Sequence, residues 1–434
     1  VVVPVSNPTA TVVLPELPQW ETTPVDRGGA ISTMKEALRA RIEASGRSVD
    51  EVFSVIEARV RSQVDEIAAA KAQVQAVWPV IEYADIAAGT VSAADLALLH
   101  RRGCVVVRGH FPHQQALGWD QGIVDYVERN RFFENYRGPG DDFFGSVGSR
   151  PEIYPVYWSP AQMEARQSDR MANVQRFLNE QWTSESDGTR WFDPTRDAIY
   201  PDRIRRRPES ASSSGLGAHL DTGTLDLWMT PSSQRAFRHL FDGTVEHYDP
   251  WDAAHRTVGT QYPSSTMCSA FRTFQGWTAL SDMDHDQGVL HTVPIADAMA
   301  YVLLRPLLAD VPDDDMCGVT LNQVLPITEQ WHSLLLAASS GIPDVRAGDS
   351  VWWHSDMIHS VAPVTDQRGW GNVMYIPAAP WCARNDTYAE SVRDAFLSGS
   401  SPSDFPEEHY ERTWTDRFTI DDLNDVGRRG LGLQ

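Results

Sequence analysis

The hydrophobic patterns along this chain predict a mainly β core with helical additions, behind an α-helical N-terminal extension. Three observations carry the prediction. Apolar residues recur at helical spacing between about 32 and 77. From about 216 onward the pattern changes to short apolar and β-branched runs, at 224–230, 269–280, 350–353 and 371–376. No internal repeat or low-complexity tract interrupts this order. Helices followed by many short strands suit an all-β core with additions, and a double-stranded β-helix (jelly-roll or cupin-like) is one such core.

Taken in order, residues 1–30 are rich in Pro, Thr and Val and are expected to form an irregular arm. Met34, Leu38 and Ile42 start a helix, and Val52, Val55, Ile56 and Val60 continue the spacing in a second one. Gly46 and Ser48 separate the two, and Ser48 with Glu51 has the spacing of a capping box. Residues 92–102 read as another helix, leading into a buried strand at 103–109. Gly, Pro, Asp and Ser are frequent over 130–215, with helical pieces near 160–182, and 296–308 reads as a helix among the later strands. The organisation expected is an arm and helical extension over 1–100 and a β core over 101–385. Insertions near 231–265 and 305–345 are expected as lids over the site, and 386–434 as a helical and irregular tail packed on the core.

The net charge of −22 over 434 residues argues against nucleic acid and anionic membranes as partners, since phosphate binding needs a basic surface. The densest basic run, 203–207, is expected to be a solvated loop, with neutralisation of an anionic substrate as the alternative. Cys104, Cys268, Cys317 and Cys382 are widely spaced, which suits neither a disulfide framework nor a zinc cluster. The 15 Trp are expected mainly as packing residues. No signal peptide or membrane-spanning run is read, so a cytoplasmic location is the default expectation, with a homodimer left open.

The sharpest chemical feature is His219-Leu-Asp221. Residues two apart on an extended segment point to the same side, so an imidazole and a carboxylate can reach one metal ion. Downstream, Gly348-Asp349 makes a turn, an apolar strand follows, and His359 arrives just past it. Two imidazoles and one carboxylate on one face of an iron leave the other face for a chelating co-substrate, dioxygen or water. Arg368 follows shortly after, and a guanidinium fork matches a carboxylate.

This pattern resembles the phytanoyl-CoA-hydroxylase-like branch of the Fe(II)/2-oxoglutarate oxygenases. Residues 103–109 resemble the opening strand of that branch. Gln275-Gly-Trp-Thr-Ala-Leu-Ser-Asp resembles its central strand, and Gly288-Val-Leu-His-Thr-Val-Pro294 the turn after it. The stretches from Trp352 to His359 and from Asn372 to Pro380 look closer still to the YbiU-like family, whose function is unknown. The resemblance implies a double-stranded β-helix core, Fe(II), 2-oxoglutarate as co-substrate and O2. It implies metal ligation by His219, Asp221 and His359, and its Gly-Asp to His spacing selects His359 over His354. It implies an anchor for 2-oxoglutarate at Arg368. The sequence departs from the family there, because Gly369-Trp370 follows instead of x-Ser, so Arg272 is an alternative anchor with Gln275 beside it. Trp277, Trp352 and Trp353 are candidate pocket walls, and His354 a pocket wall or a satisfied core histidine. The carboxylate of Asp221 favours hydroxylation of a small molecule over halogenation. Two other classes stay open: a cupin-like isomerase or dioxygenase without 2-oxoglutarate, and a non-catalytic β-scaffold binding protein.

Overall fold

The computed structural model describes residues 27–138, 152–258, 268–320 and 323–433. Most of the arm expected over 1–30 lies outside them, as do parts of the expected insertions. The strands of the two main sheets are, in chain order, β1 (Val80–Glu82), β2 (Cys104–Arg108), β3 (Ile153–Tyr154), β4 (Ile204–Arg207), β5 (Leu216–Leu220) and β6 (Phe274–Ala279). They continue with β7 (Leu290–Thr292), β8 (Leu325–Pro326), β9 (Ser340–Gly341), β10 (Ser350–His354), β11 (His359–Val361) and β12 (Gly371–Tyr375). One sheet has seven strands in the order β1-β2-β10-β6-β12-β4-β3, and the other five in the order β8-β5-β11-β7-β9. Among the described strands of these two sheets, only β1 and β2 pair in parallel.

Alternation along the strands divides the apolar residues into layers. One face of the seven-stranded sheet carries Val105, Ile204, Phe274, Trp352 and Met374, packed against the helices His113–Arg129, Pro160–Arg166 and Asp169–Asn179. The other face carries Val106, Trp277, Ala279, Val351 and Val373, which meet Leu290 of the five-stranded sheet. The far side of that second sheet, with Leu220 and Leu325, is covered by α1 (Arg27–Glu43), α2 (Val49–Ala72) and the buried helix Ala298–Leu304. The described chain is thus a mixed helix-and-sheet protein with two facing sheets and no closed barrel. The expectation of a mainly β protein undercounted the helices, because each sheet's outer face is apolar and needs a helical cover.

Local signals at the N-terminus behave as read. Met34, Leu38 and Ile42 are buried, and both halves of the Ser48–Glu51 capping box are formed. Lys35 is buried on α1 and donates to the carbonyls of Val311, Pro312 and Asp315, tying that loop to the helix. Two expectations are corrected. Residues 224–230 form no strand: Asp226 Oδ1 accepts from the N–H and hydroxyl of Thr224, and a helical turn Asp226–Met229 follows. Trp228 is fully buried there, with its indole N–H on Leu303 O. Nor do the described parts of 231–265 and 305–345 all gather at the site, whose cavity they line with Ile342. Phe237, Leu240, Val319 and Leu335 join the cluster under α1 and α2, on the far side of the five-stranded sheet.

Candidate metal centre

On β5, alternation sends Leu220 into the helical cluster and His219 to the opposite side, with Asp221 just past the strand end. The antiparallel pairing of β11 with β5 sets His359 directly opposite His219. Their ring centroids are 4.3 Å apart. Asp221 lies between them: Oδ1 is 3.4 Å from His219 Nε2 and Oδ2 is 3.5 Å from His359 Nε2. One ligand atom from each of the three residues falls within 4.8 Å of the others. Each imidazole is oriented from behind, with Nδ1 of His219 on Gly217 O at 2.7 Å and Nδ1 of His359 on Met357 O at 3.0 Å. A carbonyl at Nδ1 requires the proton there and leaves Nε2 as the electron-pair donor, as in metal-bound histidines. The donor set therefore fits a divalent metal.

The electrostatics agree. Burial disfavours charge on both sides, yet His359 and His219 hold the Asp221 carboxyl well below its ordinary range. Burial opposes protonation of His219, and the hydrogen bond and charge of Asp221 outweigh it and raise its pKa.

The approach to His359 is braced. Gly348 has φ +97°, and a Cβ there would sit 2.4 Å from Phe111 O, so only glycine makes this turn. The Asp349 carboxylate accepts from Gly109 N, Arg346 N and the Arg108 guanidinium, fixing the start of β10. Beyond β10, Asp356 pairs with Arg256, and the Thr222 hydroxyl donates to Ser355 O at 2.7 Å. The residue after Asp221 is thereby tied to the turn that delivers His359.

The triad lies in the wall of a cavity of about 430 Å³, open between the sheets, which Arg272, Gln275 and Trp277 also line. Three other sequence candidates lie elsewhere. Trp352 is fully buried on the opposite face of β10. His354 stacks on Trp182 at 4.4 Å, places Nε2 3.1 Å from Pro250 O and accepts from Asp356 N. It is a satisfied core histidine, and burial pushes its pKa down to about 4. Arg368 is exposed and paired with Asp284 and Asp286 at 3.3 and 2.6 Å, away from the cavity.

Arg272 offers the guanidinium that Arg368 does not. It lies over the Tyr200 ring at 5.5 Å and forms no hydrogen bond among the described residues. Burial works against its charge, and Cys268, Tyr200 and Asp221 more than offset that and raise its pKa. Residues 203–207 are not a solvated loop: Ile204–Arg207 is strand β4, and Arg203, Arg205 and Arg207 line the cavity. The signal was present in the period-two placement of the arginines around Ile204, whose side chain joins the opposite core.

A family model for Gig2-like proteins matches residues 26–433. The chain belongs to the Gig2-like family. The YbiU protein of Escherichia coli K12 is 58% identical over 416 residues, covering 95% of this chain and 98% of that protein. A crystal structure of a hypothetical protein from Escherichia coli matches with a TM-score of 0.88 at 56% identity, covering 95% of this chain and 98% of that one. The GlcNAc-inducible gene 2 product of Candida albicans matches with a TM-score of 0.75 at 23% identity, over 95% of this chain and 91% of that one, a likeness of fold. Among the described residues of this Gig2-like chain, no helix is long and apolar enough to cross a membrane.

Proposed function

We propose that this Gig2-like protein is a non-haem Fe(II)- and 2-oxoglutarate-dependent oxygenase that hydroxylates a small molecule, releasing succinate and CO2. The carrying observation is the convergence of His219, His359 and Asp221 on the wall of a cavity that also presents Arg272. Two imidazoles and a carboxylate suit iron(II) and leave its remaining positions to ligands entering from the cavity. Iron, when bound, supplies dioxygen activation coupled to oxidation of 2-oxoglutarate. The chain's own residues bind and orient. Asp221 and the two Nε2 atoms hold the cation, and Arg272 takes over the role first assigned to Arg368, gripping the distal carboxylate of the co-substrate with its fork of donors. Gln275 Nε2, buried without a partner, adds a donor to the same wall. The rings of Trp277 and Trp353 add apolar surface to that wall. Selectivity then rests on positioning rather than on acid–base tuning. On the same reading, the two facing sheets are a double-stranded β-helix with the metal at its open end.

Anaerobic titration with Fe(II) and 2-oxoglutarate tests the proposal. The expected result is the weak visible charge-transfer band of an iron-bound 2-oxoglutarate chelate, absent in Asp221→Ala. Iron binding with no band would leave a metal enzyme that does not use 2-oxoglutarate, and no iron binding would remove the metal centre altogether.

A further inference from the structure

Among the described residues, the fully buried side-chain polar atoms left without partners in the cavity wall are of one kind. Arg205 Nε, Gln275 Nε2 and Trp353 Nε1 are all buried, all N–H donors and all unmatched. Arg272 adds a guanidinium with no hydrogen bond among the described residues. The carboxylates of the same wall are engaged elsewhere. Glu152 holds Arg207 at 3.1 Å, Asp221 lies between the histidines, Asp404 accepts from Ser269, and Asp202 from the backbone N–H of Arg203. Buried donors are normally satisfied, so a wall of unmatched donors calls for ligands rich in acceptors.

One 2-oxoglutarate does not account for both guanidiniums. Its keto-acid end belongs at the metal, leaving a single distal carboxylate. Arg272 is the nearer candidate for it, since it leads into β6, which pairs with the β10 residue Trp353 whose ring is 5.5 Å from His359, whereas Arg205 lies on β4, two strands beyond β6 in the sheet. Arg205 sits on β4, opposite Val373 of β12, with no hydrogen bond or ion pair among the described residues. Tyr375 lines the same wall. A cavity of about 430 Å³ is of a size that takes a drug-sized ligand, so a second small molecule fits beside the co-substrate.

We infer that the substrate of this site is itself an anion, carrying a carboxylate or phosphate that Arg205 grips while Arg272 holds 2-oxoglutarate. The inference rests on the oxygenase reading for the division of labour, and the assignment of Arg205 as an oxyanion site can be tested apart from it. Co(II)-loaded protein saturated with 2-oxoglutarate would be titrated calorimetrically with inorganic phosphate and, separately, with acetate. At least one of the two should bind, and which one does identifies the class of anion. Arg205→Met should weaken that binding by about tenfold or more and leave 2-oxoglutarate affinity within about twofold, while Arg272→Met should do the reverse. Arg205→Lys, which keeps the charge and loses the fork, should fall between wild type and Arg205→Met, separating binding from misfolding. Neither anion binding, or binding unchanged in Arg205→Met, would overturn the inference. Should 2-oxoglutarate fail to bind in every form while anion binding still depends on Arg205, the oxygenase reading falls and the oxyanion site stands.

Discussion

At the scale of single residues, the site turns on which arginine is free to bind. Arg368 has a 59% exposed side chain and two carboxylate partners in solvent, a pairing of small energetic weight. Arg272 faces the cavity with no hydrogen bond among the described residues. Arg368→Ala is therefore expected to leave 2-oxoglutarate affinity within about twofold, while Arg272→Ala weakens it by about ten- to a hundredfold. Titrating Co(II)-loaded variants with 2-oxoglutarate measures both, and the opposite order would return the anchor to Arg368. His354 makes the same point from the other side. Its position in the sequence made it a rival of His359, yet its two ring nitrogens are already matched and its ring is clamped between Trp182 and Trp251.

At the scale of elements, the turn between β10 and β11 carries the most consequence. Residues 354–359 must reverse direction and bring His359 opposite His219, and the buried Arg256–Asp356 pair holds that turn. The Arg256 guanidinium also lies over the Trp182 and Phe237 rings at 5.3 and 4.9 Å, so the charged head packs on aromatic faces as it pairs. Arg256→Met would leave Asp356 as a buried, uncompensated carboxylate. It is expected to destabilise the fold by about 3–5 kcal/mol and to weaken metal binding through the displaced turn. Urea unfolding and Co(II) titration check the two effects, and a loss below about 1 kcal/mol would show that the pair does not brace the turn. Strand β4 is the second consequential element. Its alternation sets Ile204 into the helix-covered core and turns Arg205 and Arg207 to the cavity.

At the scale of the whole molecule, burial sets the response to pH. It pushes His110 down to about 3 and His332 and His354 to about 4, against an ordinary value of 6.5. Their contribution to stability is complete above 6.5 and is lost as the pH falls toward those values. Burial also pushes the carboxyls of Asp197 and Glu411 up to about 7. Their contribution is complete below the ordinary values of 3.8 and 4.5, and is lost as the pH rises through 7. Between about pH 4.5 and 6.5 the lowered histidines, to which His239, His255 and His291 add in the same direction, outnumber the two carboxyls raised to about 7, so stability should rise with pH. Above about 6.5 the carboxyls still act, His219 and His285, raised above 6.5 by their carboxylate partners, act in the same direction, and stability should decline toward neutral pH. Urea unfolding of the metal-free protein across about pH 5 to 7.5 tests this, and a profile that falls between about 5 and 6 would contradict it.

Much of this protein is determined locally and is legible without the fold. The two N-terminal helices and their capping box follow from spacing and from Ser48 with Glu51, and strands β2, β6, β10 and β12 follow from apolar runs bounded by turn residues. The candidate metal ligands were readable because His219 and Asp221 share one side of an extended segment and His359 follows a Gly-Asp turn whose backbone only glycine adopts. The family, too, was legible in the motifs. Other outcomes depended on partners distant in the chain. Residues 224–230 alternate like a strand, and burial of Trp228 against Leu303 O makes them helical. The basic run at 203–207 reads as a solvated loop until its pairing with β12 turns it into a cavity wall. Of the described residues expected in lids, Phe237, Leu240, Val319 and Leu335 pack on the far side of the five-stranded sheet, under α1 and α2, while Ile342 lines the cavity. Which arginine faces the cavity was likewise decided by tertiary structure. A guanidinium's role depends on whether a carboxylate already stands beside it, and that neighbour is set by packing between sheets, not by position along the chain.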